Sequence, residues 1–120
     1  MMKPSTRRAG GWAEDRALRL LLSRGWRLLN RNWGCRWGEL DLVMAKPSRL
    51  LVVEVKGRRS AFDGWGVAAL DSSKRRRLAR ALACWQAAHP HLAEQSMELV
   101  FALVPLPPTQ GAVRWIRVEA

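Results

Sequence analysis

Asp41, Glu54 and Lys56 stand in apolar surroundings where charge is expensive. The stretch 37–58 reads Trp-Gly-Glu-Leu-Asp-Leu-Val-Met-Ala-Lys-Pro-Ser-Arg-Leu-Leu-Val-Val-Glu-Val-Lys-Gly-Arg. Lys46-Pro47-Ser48 divides two apolar, β-branched runs, the mark of a hairpin or short connection between strands. In the second run both side-chain parities are apolar until Glu54, the pattern of a strand buried on both faces. Alternation then sends Glu54 and Lys56 to one face, with Val55 pointing the other way. By the same rule Glu39, Asp41 and Val43 share one face of the first run, and Leu40, Leu42 and Met44 the other. A buried carboxylate costs several kcal/mol unless it is paired or bound to a metal.

A third carboxylate comes from a helix expected over residues 11–24. Ala13, Ala17, Leu18, Leu20, Leu21 and Leu22 supply its apolar face, and Gly25 sits where a C-terminal cap belongs. Glu14 has Ala17, Leu18 and Leu21 as its i+3, i+4 and i+7 neighbours, so it lies on the core-facing stripe near the helix start. Glu14, Asp41 and Glu54 would converge at one end of a sheet with Lys56 beside them. Two carboxylates about 5 Å apart at an effective dielectric near 20 repel by roughly 3 kcal/mol. A hard divalent cation, Mg²⁺ or Mn²⁺, relieves that repulsion and prefers carboxylate oxygens. Held there, it would polarise a phosphodiester and activate water, with Lys56 orienting that water or offsetting charge on phosphorus. A purely structural arrangement is equally open: Lys56 in salt bridges with Glu54 or Asp41, and Glu14 complementing the helix dipole.

The elements that must position these groups follow in order. Residues 1–10 read as a mobile basic arm ahead of a single domain over 11–120. Residues 26–33 fit a first strand, with Gly34-Cys35-Arg36 as the turn into the 37–58 pair. Residues 57–66 form a glycine-rich loop with Arg58, Arg59, Phe62 and Trp65, suited to holding a nucleic-acid backbone or serving as an ordinary connection. A second helix is expected over 72–88, with Leu78, Leu82 and Trp85 as its buried stripe and Lys74 one turn ahead on the same stripe. Arg75, Arg76, Arg77 and Arg80 spread over its other faces, where they add to the pull on phosphate or form a solvated surface. His89-Pro90-His91 reads as the turn ending that helix, ahead of a metal site. Residues 97–104 make a fourth strand and 112–118 a fifth, at an edge. The order is αβββαββ, an α/β sandwich around one mixed sheet.

Composition narrows the partners. The chain has 120 residues, 48% of them hydrophobic, enough for one domain with one core. Lys plus Arg is 21 against 10 Asp plus Glu, a net charge of +11. That excess favours a polyanion, nucleic acid before a membrane surface. No apolar run reaches the roughly 18 residues that span a bilayer, and the basic start is followed by Gly-Gly-Trp-Ala-Glu-Asp rather than the apolar core of a signal peptide. Two cysteines, Cys35 and Cys84, lack metal-ligand spacing and are too few for a disulfide framework, so a reducing, cytoplasmic setting is expected. Seven tryptophans without a tyrosine suit a small core, or a protein-binding surface through Trp12, Trp26, Trp33 and Trp65.

Asp41 followed by Glu54-Val55-Lys56 resembles the PD-(D/E)xK motif of restriction-endonuclease-like proteins. The chain is more closely similar to the YraN-like family of small bacterial proteins. The similarity runs through Glu14-Asp15-Arg16-Ala17, Leu21, Gly25, Arg31-Asn32, Gly38-Glu39-Leu40-Asp41-Leu42-Val43, Val52-Val53-Glu54-Val55-Lys56-Gly57-Arg58 and Lys74-Arg75-Arg76-Arg77-Leu78. The resemblance implies a restriction-endonuclease-like three-layer sandwich. It also implies a metal-dependent endonuclease on DNA, with branched or recombination and repair intermediates among its substrates. Archaeal Holliday-junction resolvases of this fold carry acidic residues at similar spacing. By that likeness Glu14, Asp41 and Glu54 would be metal ligands, Lys56 the catalytic lysine and Glu39 a supporting residue. Lys74, Arg75, Arg76, Arg58 and Arg59 would meet nucleic acid, and a homodimer is possible as in resolvase-like relatives. Leu40 stands where the motif's name places proline, and Ser96-Met97-Glu98 where the family carries Arg-Phe-Asp. The other function class is a non-catalytic nucleic-acid-binding protein that keeps the fold.

Overall fold

The computed structural model describes residues 4–58, 72–92 and 94–118. Helix α1 spans Pro4–Ser23, so its backbone begins ahead of the expected start at Gly11 and takes in most of the stretch read as an arm. Its end is the expected one. Gly25, at φ +91°, takes the left-handed position, while the Gly25 amide donates to the Leu22 carbonyl (3.1 Å) and the Trp26 amide to the Leu21 carbonyl (3.2 Å). That pair of reversed bonds is the Schellman closure, and it brings Trp26 and Leu21 into the same core.

Three strands follow as an antiparallel meander: β1 (Arg27–Cys35), β2 (Gly38–Lys46) and β3 (Arg49–Arg58). The first turn is Arg36-Trp37 rather than Gly34-Cys35-Arg36, because Cys35 still pairs with Gly38. The second is Pro47-Ser48, as the sequence indicates, closed by the Lys46–Arg49 pair. Ser48 takes φ +61°, so proline followed by a left-handed residue gives the φ signs of a type II turn. Helix α2 (Ser72–Ala88) then leads into β4 (Ser96–Pro105), parallel to β3, and β5 (Arg114–Arg117) returns antiparallel at the edge. His89-Pro90-His91 opens into a short 3-10 turn over Pro90–Leu92. The sheet order is β1-β2-β3-β4-β5, one mixed five-stranded sheet.

The two helices cover opposite faces, which is why the central strands are apolar at both parities. Ala13, Ala17 and Leu21 of α1 pack on Leu42, Met44, Leu51, Val53, Ala102 and Val104. Leu78, Ala81 and Trp85 of α2 pack on Leu40, Val43, Leu50, Val52 and Phe101. Trp85 is fully buried, and its indole N–H donates to Asn30 Oδ1 at 2.7 Å; a buried indole needs such a partner. Gly57 is required by close approach, since a Cβ there would stand 2.8 Å from a Leu106 methyl. Cys35 and Cys84 are free thiols. They are neighbours across the β1–α2 contact, and burial and Cys35 together push the Cys84 thiol up.

One expectation about the sheet is corrected. Simple alternation places Leu40 with Leu42 and Met44, yet Leu40 packs under α2 while Leu42 and Met44 pack under α1. The change of face occurs at Asn32 and Asp41. Arg31 pairs with Leu42 and Trp33 with Leu40, and Asn32 between them adopts φ +53°. A left-handed residue inside a strand rotates the chain that follows, so side chains two apart no longer share a face.

Candidate functional site: a carboxylate pair where two strands part

The β2–β3 ladder runs regularly from Lys46–Arg49 to Leu42–Val53. At the next position the carboxylates take over from the backbone. The Asp41 amide donates to Glu54 Oε2 at 3.1 Å, and the Val55 amide donates to Asp41 Oδ2 at 2.8 Å. Each strand's acid thus holds an amide of the other strand.

The electrostatics of the pair are strained. Glu54 is the buried charged residue of the core, 8% exposed. Burial and the Asp41 charge push its carboxyl up to about 8, against the pull of the Asp41 amide, Lys74 and Lys56. Asp41 is pushed up to about 6 by burial and then by Glu14 and Glu39, with the Val55 amide and Lys56 opposing. Lys74 belongs to the same group: burial and the adjacent Lys56 hold it down to about 8, while Glu54 and Asp41 pull it upward. Its ammonium lies 5.4 Å from the Phe101 ring centroid. A cleft of about 260 Å³ opens over this cluster, lined by Trp37, Gly38, Glu39, Glu54, Lys74, Arg77, Leu78 and Ala81.

The structure therefore brings together Asp41, Glu54, Lys56 and Lys74, with Glu39 on the rim. Glu14, the third expected ligand, stands beside the pair and is held by two residues of β1. It is close enough to raise Asp41, but its Oε1 accepts from Arg31 Nε at 3.2 Å and both its oxygens lie within 3.2 Å of Asn32 Nδ2. Arg31 also pairs with Asp15 at 2.8 Å. Among the described residues no three His, Cys, Asp or Glu side chains form a group that could hold a metal ion.

The basic residues divide as the helical stripes indicate, except that Arg77 joins Lys74 at the cleft. Of the three consecutive cations Lys74, Arg75 and Arg76, Lys74 lines the cleft, while the arginines line a separate groove with Leu82, Met97, Leu99 and Arg117. Helical geometry separates them: 74, 77, 78 and 81 recur on one stripe and 75, 76, 79, 82 and 86 on another. Arg58 ends β3, with Nη1 on the Gly57 carbonyl at 3.4 Å and a buried Nε that has no partner among the described residues. Arg59 lies outside the described residues, as do Phe62 and Trp65. Sequence reasoning set Arg77 with Arg75 and Arg76 on the outer faces and gave Trp37 and Asn32 no role at the site. The i+3 spacing from Lys74 could have found Arg77; no local signal marks Asn32 as the residue that turns the strand.

Comparison with known proteins places this architecture. The profile of the uncharacterised protein family UPF0102 matches residues 13–104, a span that includes Glu14, Asp41, Glu54, Lys56 and Lys74. A UPF0102 protein of Prochlorococcus marinus strain MIT 9303 is 56% identical over 119 residues, 98% of this chain and 94% of its own. One from Parasynechococcus marenigrum strain WH8102 is 54% identical over 110 residues, 92% of this chain and 81% of its own. One from Bordetella avium strain 197N is 41% identical over 118 residues, 98% and 78% of the two chains. No described helix is long and apolar enough to cross a membrane. The span of the profile and the extent of these identities settle the likeness drawn from the sequence: the chain belongs to the uncharacterised, YraN-like protein family UPF0102.

Proposed function

We propose that the chain is a metal-dependent nuclease of restriction-endonuclease-like fold that hydrolyses phosphodiester bonds in DNA. The observation that carries this reading is the Asp41–Glu54 pair, a buried acid raised by its half-buried neighbour, itself raised by burial, Glu14 and Glu39, with Lys56 and Lys74 alongside. A fold gains nothing from such a pair that asparagine and glutamine would not supply at lower cost, since those side chains also accept from the two amides. What the acids add is charge.

The donor set fits a hard divalent cation, Mg²⁺ or Mn²⁺. Asp41 and Glu54 would hold it through their carboxylate oxygens, with the two amides keeping both groups in place. When bound, such an ion polarises a phosphate oxygen and lowers the pKa of water. The remaining work belongs to the chain. The Asp41 and Val55 amides fix the orientation of both carboxylates. Lys56 and Lys74 present positive charge where phosphorus gathers negative charge. Arg31 and Asn32 hold Glu14 just outside the pair, where it adds to the negative field at Asp41. Acidic groups facing a polyanion oppose binding unless a cation intervenes, which disfavours the alternative of a binding protein without catalysis.

The test is incubation of the purified protein with labelled duplex, single-stranded and four-way-junction DNA in Mg²⁺, in Mn²⁺ or in EDTA. Cleavage is expected with metal, absent in EDTA, and lowered at least 100-fold in Asp41→Asn and Glu54→Gln. Absence of cleavage under both metals would refute the enzyme reading for these substrates.

A further inference from the structure

The β1–β2 turn carries a group that the carboxylate chemistry leaves unused. The Arg36 guanidinium carbon lies 4.9 Å from the centroid of the Trp37 ring, and that of Arg80 lies 4.5 Å away. Both arginines are exposed and the indole is half-buried, so two cations from different elements share one ring. Arg77, one helical turn before Arg80 and also exposed, lines the cleft beside Trp37 and Glu54. Arg77, Arg80 and Cys84 form one stripe of α2, and Cys84 beside Cys35 keeps that stripe against the turn.

Several arginines elsewhere are engaged, and among the described residues none of the others shares an indole near the acids as Arg36 and Arg80 do. Arg31 is held by Glu14 and Asp15, Arg49 and Arg117 by Glu98, and Arg16 by the Gly111 carbonyl. Among the described residues, Arg36, Arg77 and Arg80 form no ion pair. A guanidinium resting on an indole keeps its N–H edge directed sideways and its outer face flat. The edge suits a phosphate and the flat face suits a base, which an acidic peptide does not offer. The cleft beside this group has room for a phosphate and its sugar, about 260 Å³, and a base can stack on a guanidinium face only where it is unpaired and splayed from its helix.

We propose that Arg36, Trp37, Arg77 and Arg80 grip an unpaired DNA strand as it leaves the Asp41–Glu54 pair. Arg77 takes the phosphate nearest the acids, and the Arg36–Trp37–Arg80 group takes the next phosphate and stacks a base. The direction of the strand rests on the nuclease reading; the grip itself is testable without cleavage.

The experiment is fluorescence anisotropy in EDTA with a labelled single-stranded oligonucleotide and a blunt duplex of the same sequence, over a salt series, with polyglutamate as competitor. Arg36→Gln, Arg77→Gln and Arg80→Gln should each weaken single-strand binding about 10-fold and lower the salt slope by about one. Arg80→Lys should keep the slope yet lose the preference for single strand over duplex. Arg75→Gln with Arg76→Gln, on the other stripe of α2, should change binding less than three-fold. Circular dichroism confirms that the variants remain folded. The proposal is overturned if the Arg75/Arg76 double variant weakens binding as much as the others, if Arg80→Lys is indistinguishable from the parent, or if polyglutamate competes as well as DNA at equal charge. Metal-dependent cleavage with unaltered binding in the wall variants would defeat the grip and leave the nuclease standing; weakened binding without cleavage would do the reverse.

Discussion

Replacing Glu54 by glutamine removes a buried charge while keeping an acceptor for the Asp41 amide. The consequence follows from where the proton sits. Between the ordinary carboxyl value of 4.5 and about 8, folded Glu54 holds a proton that the unfolded chain has released. Its contribution to stability is therefore complete below 4.5 and is lost as pH climbs through about 8. At about 1.4 kcal/mol per pH unit, the interval sets a ceiling of roughly 5 kcal/mol. Relaxation of the site and entry of water reduce that, and a loss of about 2–3 kcal/mol is expected. The assay is urea unfolding in EDTA at pH 5.5 and pH 8.5, following tryptophan fluorescence. At pH 5.5 the parent and Glu54→Gln should unfold within about 1 kcal/mol of each other. At pH 8.5 the variant should be the more stable by the 2–3 kcal/mol that the parent has lost. Millimolar Mg²⁺ at pH 8.5 should raise the parent's midpoint and leave the variant's in place. If the difference between the two proteins is the same at both pH values, or if the variant is the weaker at pH 8.5, the placement of a strained charge at Glu54 is wrong.

Substitutions at Asn32 and at Gly57 test the backbone around the site. Asn32→Gly keeps the left-handed conformation but loses the bonds to Glu14, whereas Asn32→Ala loses both. The alanine variant should be the less stable by about 1 kcal/mol in the same unfolding assay. Gly57→Ala drives a Cβ to 2.8 Å from Leu106, at a flexible side chain that can give way in part. A loss of about 1–3 kcal/mol is expected; Leu106→Ala leaves a cavity of its own, so the clash shows as a double variant that loses less than the sum of the two single losses. Additive losses would refute that assignment of the clash.

The element order was legible because each signal was local. Gly25 after an apolar helical stripe, Pro47-Ser48 between β-branched runs, and the two-sided apolar strand at Leu50–Val53 each act over a few residues. The pairing of Asp41 with Glu54 was also within reach, because a tight hairpin fixes the register of the strands it joins. Three things were not. The left-handed turn at Asn32 depends on Glu14, contributed by α1 and meeting it across the packed face, and it moved Leu40 to the other side of the sheet. The diversion of Glu14 to Arg31 and Asn32 could not be read from its helical stripe, which gives direction but not partner. The groove that Arg75 and Arg76 line with Met97, Leu99 and Arg117 was hidden because it needs β4 and β5 beside α2, whereas their separation from Lys74 was legible in the helical spacing.

The two amides that bridge the parting strands make the site its own reporter. An N–H that donates to a carboxylate feels the charge of that group directly, and its proton resonance shifts as the acid gains or loses a proton. The Asp41 amide reads Glu54, and the Val55 amide reads Asp41. A single nitrogen-labelled sample, followed by magnetic resonance through pH and then through added cation, would therefore show the ionisation of each acid separately. No probe needs to be attached and no residue changed, because the fold has already wired each acid to a spectroscopic handle on the neighbouring strand.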